Sequence, residues 1–394
     1  MKVIVCNIGS SSLKFQLIEM PSEHPVARGL IERVGSSQAA IRYWIADDLV
    51  HSEDTPVRNQ RESVEHALNF LTNGIIRLDE IGAVGFKCVQ AGEKNGTVLL
   101  DEDVLDAMER YRDLAPAHNP PYLEAIYMFR DLLPGTPLVG VFEPGFHNQV
   151  PEYASIYGTP FEWYEKYGVR RYGYHGASHR FITSETIRFL GMPSEEHRII
   201  TCHLGGSSSL CAFKDGISID VSMGFSPQSG LIQGTRVGDL DVFVLPYIMS
   251  RKGISMEDAL KECSKRGGLS GISGTSGDMR DINEAIRNGS RRARLAREKF
   301  IYDIKRYIGE YLVLMEGLDA ITFTGGIGQR DADLRSAVLS SLSFLGLEVD
   351  EEANRQNSVK ITTAGSSITA LVLETNEEIV VARETACLVE QQQN

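Results

Sequence analysis

The chain has no run of about twenty apolar residues, so a membrane-crossing helix is not expected. It has little cysteine: six in 394 residues. Cys6, Cys88, Cys202, Cys211, Cys263 and Cys387 form no C-x-x-C pair and no zinc spacing, so they read as reduced, mostly buried thiols. It lacks basic excess, with 40 Lys and Arg against 53 Asp and Glu and a net charge of −13. That argues against a general nucleic-acid surface. It leaves phosphate ligands open, because a phosphate site needs only local N–H groups and a few cations. The nucleotide motif GxxxxGK[ST] is absent, as are the protein-kinase HRD and DFG motifs and any GxGxxG that follows a strand in a βαβ unit. Met1-Lys2 runs straight into the strand-like VIVCNI, with no apolar leader and no cleavage pattern. A cytoplasmic protein is therefore expected.

What is present is one phrase written twice. VCNIGSSSLKF stands at 5–15 and TCHLGGSSSLCAF at 201–213. Cys6 answers Cys202, Asn7 answers His203, Ile8 answers Leu204 and Gly9 answers Gly205, with serines following in both. Each reads as strand, Gly/Ser turn, strand. The length favours two domains.

The elements around the two phrases repeat as well. After the first hairpin a strand is expected near 40–50, a helix over 61–78, a strand over 83–89, helices over 101–113 and 122–132, and a strand over 137–143 that ends on Glu143. After the second come three strands within 197–222, a long helix over 291–316, a buried strand running into a glycine turn over 320–328, a strand over 367–378 and a last helix over 380–391. Strands precede helices twice. The expected fold is α/β, built from two duplicated domains with a cleft between them. The first covers 1–147, joined by the C-terminal helix 382–394. The second covers 148–381.

A tight Gly/Ser hairpin aims several backbone N–H groups and hydroxyls at one point, which suits phosphate. Two such turns in a repeat, with a third glycine turn in TFTGGIG, fit a nucleotide held by one hairpin from each half.

The stretches NIGSSSLK (7–14), LAPAHNP (114–120), EKYGVRRYGYHGASH (165–179), ITCHLG (200–205), MGFSP (223–227), GTRVGDLD (234–241), SGDMRDI (276–282), FTGGIG (323–328) and ETNEE (374–378) carry a specific resemblance. Over essentially its full length the chain resembles the acetate kinase family of short-chain carboxylate kinases. The resemblance implies the acetate/sugar kinase–Hsc70–actin (ribonuclease H-like) fold. It also implies ATP and ADP as co-substrates, Mg²⁺ or Mn²⁺ as the metal, an acyl phosphate product formed by reversible in-line transfer, and a homodimer. It implies roles for residues too. Arg236 clamps phosphoryl or carboxylate oxygens, His175 hydrogen-bonds the same group, and His118 supports it. Glu143 and Lys87 fall at catalytic positions. Asn7 and Glu377 lie on the metal side. Ser10, Ser12 and Lys14 line the phosphates, and His203, Leu204, Gly205, Gly206 and Ser207 form the second phosphate turn. Asp278, Met279 and Arg280 join Gly326, Ile327, Gly328, Gln329 and Arg330 in the nucleoside pocket. Val89, Ala117, Tyr174 and Pro227 line the acid pocket. His147 and His179 read as structural.

The chain departs from the family at several of these positions. Lys87 stands where an Arg is usual and Gln90 where a His is usual. Glu143 replaces an Asp, moving the carboxylate outward by roughly 1–1.5 Å on standard bond lengths. Lys is a point charge on a flexible stem rather than a two-pronged clamp. The two changes offset each other if Lys87 and Glu143 are close in space. HLGNG has become HLGGS, and GIGEN has become GIGQR, which bears on the nucleotide. Two other readings follow from the same residues: a catalytically weak member kept as a nucleotide-binding or regulatory module, and a sugar kinase or chaperone-like ATPase of the same fold.

Ala117 stands for a usual Leu and Tyr174 for a usual Phe. The first opens volume and the second adds a hydroxyl that wants a partner. An acid larger or more polar than acetate, such as propionate or a hydroxy acid, is therefore expected to give the highest kcat/KM. Hydroxamate trapping of the acyl phosphate across acetate, propionate, butyrate, lactate and glycolate checks this. Acetate leading the series would refute the pocket reading.

Overall fold

The computed structural model of the chain describes residues 1–115, 118–191 and 197–393. It divides into two units, Met1–Asn148 with Asn376–Asn394, and Gln149–Thr375.

The first unit is built on an eight-stranded sheet. β1 (Lys2–Gly9), β2 (Ser12–Glu19), β3 (His24–Glu32), β4 (Ser36–Ile45) and β5 (Asp48–Val57) form an antiparallel meander. β6 (Ile81–Cys88) lies parallel to β1 on its other side, then β8 (Leu138–Phe142) parallel to β6, with β7 (Thr97–Leu99) antiparallel at the edge. β1 is apolar on both faces because both are covered. Ile4, Cys6 and Ile8 pack in one core with Val64 and Leu68 of the helix Gln60–Thr72 and Tyr122 and Phe129 of the helix Asn119–Leu132. Val3 and Val5 pack on the opposite face with Val381, Ala382 and Ala386 of the last helix, Glu377–Gln393.

The second unit repeats the central strands. β9 (Arg198–Leu204), β10 (Ser208–Lys214) and β11 (Ile217–Val221) form the meander, and β12 (Ala320–Thr324) and β13 (Thr369–Val372) follow in parallel. The order β11-β10-β9-β12-β13 matches β3-β2-β1-β6-β8, with the same directions. The long helix Arg291–Met315 covers this sheet with Phe300, Ile304, Tyr307 and Tyr311. The duplicated α/β fold expected from the repeated phrase is what the chain adopts. Among the described residues no helix is long and apolar enough to cross a membrane.

Several element boundaries differ from the sequence reading. The single strand near 40–50 is instead the end of β4, a turn at Ala46-Asp47 and the start of β5. β5 is an edge strand, almost wholly exposed and acidic, so it has no apolar alternation to read. The helix expected over 61–78 stops at Thr72, where Asn73 caps it and Gly74 takes φ +91°. The turn after β12 is a short helix, Gly325–Arg330. Gly325 is required there: its φ is +76° and a Cβ would lie 2.5 Å from the Leu204 carbonyl oxygen. The strand expected over 367–378 covers only Thr369–Val372. The last helix starts at Glu377, where the Asn376 side chain accepts from the Ile379 N–H. Glu377 and Glu378 occupy its first turn, where acids suit the helix dipole. The expected domain limit at 381/382 thus falls inside one helix, and Glu377 travels with the first unit.

Candidate active site

In the first unit the carboxyl ends of β1, β6 and β8 carry polar residues, the place where α/β sheets hold ligands. Cys6 pairs with Phe86 and Cys88 with Phe142, so Asn7, Lys87 and Glu143 come at neighbouring strand ends. Lys87 Nζ lies 3.1 Å from Glu143 Oε1 and also makes an ion pair with Glu377. Burial alone would push the Lys87 ammonium down; the Glu143 and Glu377 carboxylates outweigh it and hold Lys87 well above the ordinary lysine range. The contact with Glu143 is the proximity that mutual compensation of the two departures requires.

Around this trio, the Tyr122 hydroxyl donates to Asn7 Oδ1 at 3.4 Å and accepts from the Ile8 N–H at 3.0 Å. Lys14 pairs with Glu378. Ser10 is exposed and Ser12 half-buried, at the tip of the hairpin. Val89 is half-buried just past β6, and His118 sits at the N-terminal end of the helix Asn119–Leu132. Ala117 lies outside the described residues. Gln90 is fully buried, and its side-chain oxygen accepts from the Gly92 N–H and from Asn95 Nδ2, both at 2.7 Å. It braces the loop after β6.

In the second unit a cavity of about 530 Å³ opens beside the β9–β10 turn. Gly205 and Gly206 of the expected phosphate turn line it together with Asp278, Met279, Arg280, Gly326, Ile327 and Arg330. A Cβ at Gly206 or at Gly326 would meet nothing within 4 Å, so both glycines face open space. His203, Leu204, Ser207, Gly328 and Gln329 are not among its lining residues. Gln329 turns its amide to the Leu373 carbonyl at 3.4 Å, and Gly328 packs its carbonyl on Arg335 at 2.7 Å.

Arg236 stands next to this turn. Its Nη1 donates to Ser207 Oγ at 3.0 Å, to the Pro227 carbonyl at 3.1 Å and to Gln233 Oε1 at 3.1 Å. Among the described residues no carboxylate pairs with it, and burial pulls its pKa below the usual guanidinium value. A partly buried cation held only by neutral acceptors is arranged for an anion. Tyr174 is buried, and its hydroxyl donates to the Phe225 carbonyl at 2.8 Å. That hydroxyl is engaged by the protein, so it no longer argues for a polar acid.

His175 precedes the helix Gly176–Leu190 in a left-handed conformation, φ 58°. Its ring stacks on His203, centroids 4.2 Å apart, and His203 Nδ1 lies 2.8 Å from Ser178 Oγ. His179 is fully buried below them, and His147 is buried in the first unit. Sequence reasoning missed several contributors. Gly277, Asn283 and Asp331 line the cavity; Gln233 seats Arg236; Arg335, wholly buried, holds the carbonyls of Gly328 and Gln329. Two of these had a signal: Gly277 lies within SGDMRDI, and Gln233 precedes GTRVGD directly.

With this geometry in view, the comparisons with known proteins agree. A family model described as the acetokinase family matches residues 2–383. The acetate kinase of Methanosarcina barkeri is 45% identical over 397 residues, spanning 99% of this chain and 97% of that protein. The acetate kinase of Shouchella clausii is 43% identical over 98% of this chain and 99% of that protein. Among solved structures, Porphyromonas gingivalis acetate kinase superimposes with a TM-score of 0.91 at 36% identity, covering 98% of this chain and 99% of that one. A propionate kinase from Francisella tularensis gives 0.91 at 32% identity, again over 98% and 99%. A doubled fold, a cavity beside the second Gly/Ser turn, and a match along almost every residue lead to one assignment: the chain belongs to the acetokinase family.

Proposed function

We propose that this enzyme transfers the γ-phosphoryl group of ATP to a short-chain carboxylate, acetate or propionate in the first instance, to give ADP and an acyl phosphate. The observation that carries the reading is Arg236, a guanidinium without an acid partner among the described residues, bonded at once to Ser207 of the phosphate turn and to Pro227 of the acid pocket. A carboxylate is already an anion and needs no general base. The barrier is repulsion between two anions, so cations and fixed dipoles around the phosphoryl group do the catalytic work. Arg236 is suited to hold the phosphoryl oxygens, and His175 to donate to them. Gly205, Gly206, Asp278, Met279, Arg280, Gly326, Ile327 and Arg330 would hold the nucleotide. A weak, non-catalytic module has no observation in its favour.

Lys87 has a different task from the Arg it replaces. With its charge engaged by Glu143 and Glu377, it orients those carboxylates and contributes little net attraction for an incoming acid. A divalent metal fits the residues present. Asn7 and Glu377 would offer it oxygen donors, the ligand type that Mg²⁺ takes alongside water and phosphate oxygens. Bound there, the metal would neutralise charge on the phosphate oxygens. With the Tyr174 hydroxyl engaged by the Phe225 carbonyl, size rather than polarity would separate the acids.

The family resemblance also supports a homodimer, and the second unit has a face for it. The helix Val244–Lys252 has no buried residue, and Val242, Phe243 and Tyr247 are 68%, 77% and 60% exposed. Contiguous apolar exposure of this kind marks a protein interface.

Three outcomes are expected. Arg236→Gln lowers kcat/KM by roughly 10²–10³-fold with ATP binding retained, the scale of losing a charged donor to the transition state; a loss under tenfold would remove Arg236 from the phosphoryl group. Lys87→Arg and Glu143→Asp each lower kcat by about tenfold, and the double variant recovers part of the loss, as coupled neighbours do; strictly additive losses would show that the pair is not coupled. Light scattering gives the mass of two chains for the natural protein and of one chain for Phe243→Asp/Tyr247→Glu; an unchanged dimer would place the interface elsewhere.

A further inference from the structure

Beneath His175 runs a chain of hydrogen bonds that ends in the core. Ser209 Oγ lies 2.8 Å from His175 Nδ1 and 2.8 Å from His179 Nε2. On its far side, His179 Nδ1 lies 2.7 Å from Thr201 Oγ1. Ser209, His179 and Thr201 are all fully buried. Two periodicities assemble the chain. His175 and His179 are four residues apart, one turn of helix, and the His175 carbonyl accepts from the His179 N–H at 2.8 Å. Thr201 and His203 share one face of β9, and Ser209 stands opposite His203 on β10.

Such a chain has a direction. Each hydroxyl has one proton to give, and each neutral imidazole has one N–H and one lone pair. Run outward from the core, Thr201 donates to His179 Nδ1, His179 Nε2–H donates to Ser209, and Ser209 donates to His175 Nδ1. The proton of His175 then sits on Nε2, and the neutral ring donates from that edge. Run inward, His175 gives its Nδ1–H to Ser209, and Nε2 donates only after taking up a second proton. An anionic phosphoryl oxygen needs a donor. The stacked His203 ring, 4.2 Å away, makes a second cation in the pair costly whenever His203 is itself charged.

We propose that His179 is a positioning residue. Through Ser209, and with Thr201 behind it, it holds the His175 ring with its proton on Nε2, so that His175 donates to the transferring phosphoryl group as a neutral imidazole. This rests on the role given to His175 above and explains how that role is met without protonating the ring.

The test uses Thr201→Val, Ser209→Ala and the double variant in the full chain. The variant-to-natural ratio of kcat is followed from roughly pH 6 to pH 8, where an ordinary imidazole titrates. The ratio cancels the titration of ATP itself. At pH 8 each variant is expected to lose about tenfold in kcat, with KM values nearly unchanged, and to recover toward pH 6, where a cationic His175 donates instead. The double variant should be no worse than the poorer single one, because the links act in series. Ring-nitrogen NMR of histidine-labelled protein should show His175 of the natural enzyme protonated on Nε2 and unprotonated on Nδ1 at pH 8, and a mixture in both variants. A natural His175 protonated on Nδ1, or variants with a pH-independent ratio near one, would overturn the proposal. If Ser209→Ala fails to fold, Thr201→Val, which keeps the side-chain shape, decides alone. His175→Gln separates the two layers of argument. An unchanged kcat there would sink the role of His175, while the NMR result would still report whether the chain sets its tautomer.

Discussion

Each unit depends on one pairing, a parallel strand laid against the first strand of a Gly/Ser hairpin. In the first unit β6 lies on β1, and in the second β12 lies on β9. A parallel neighbour ends where its partner ends, so functional residues from separate stretches of chain arrive at the same height. Asn7 and Lys87 meet this way, and so do His203 and Thr324, whose register is direct. The antiparallel partner then folds back and leaves its turn at that edge. Both faces of β1 are buried, and a slip of one residue would exchange the side chains that fill the two cores. The apolar run of β1, with cores on either side, is the sequence form of that constraint.

The two units treat charge in opposite ways. In the first, Lys87 lies between two carboxylates, Glu143 and Glu377, and pairs with both. In the second, Arg236 is left without an acid and is held only by a hydroxyl, a carbonyl and an amide oxygen. These neutral acceptors fix the guanidinium without cancelling it, so its charge stays available to a ligand. Arg335 shows the structural use of the same group. Wholly buried, it is spent on the carbonyls of Gly328, Gln329 and Asn354 and holds the short helix after β12 in place.

The repeated phrase at 5–15 and 201–213 made the duplication legible, because a hairpin with a buried first strand has a strong local signature. Much of the lining of the cavity beside the second Gly/Ser turn lies in SGDMRDI and FTGGIG. What the sequence hid was what depends on distant neighbours or on the absence of pattern. β5 has no alternation because its side chains face solvent at a sheet edge. Glu377 reads as the end of a strand until Asn376 caps a helix in front of it. Gln90 stands where the family usually has a His, and Gly92 and Asn95 engage its amide oxygen. His179 reads as a core histidine, and it is one; its connection to His175 needs Ser209, thirty residues away.

Phosphoryl transfer between two anions asks for donors whose strength does not vary with conditions. A guanidinium meets this demand by its high pKa. An imidazole does not, since its charge changes in the range where cells work. A neutral imidazole with its proton fixed at one nitrogen avoids the difficulty, because no proton has to be taken up before it donates. The cost is that the other nitrogen must be given a donor in a place without water. Helix periodicity and strand alternation supply it here: β10 brings Ser209 between the rings of two histidines one helical turn apart, and β9 brings Thr201 behind the second. The histidine at the surface of the site is thereby governed by hydroxyls that never touch the substrate, and the burial of those hydroxyls preserves the direction of the chain.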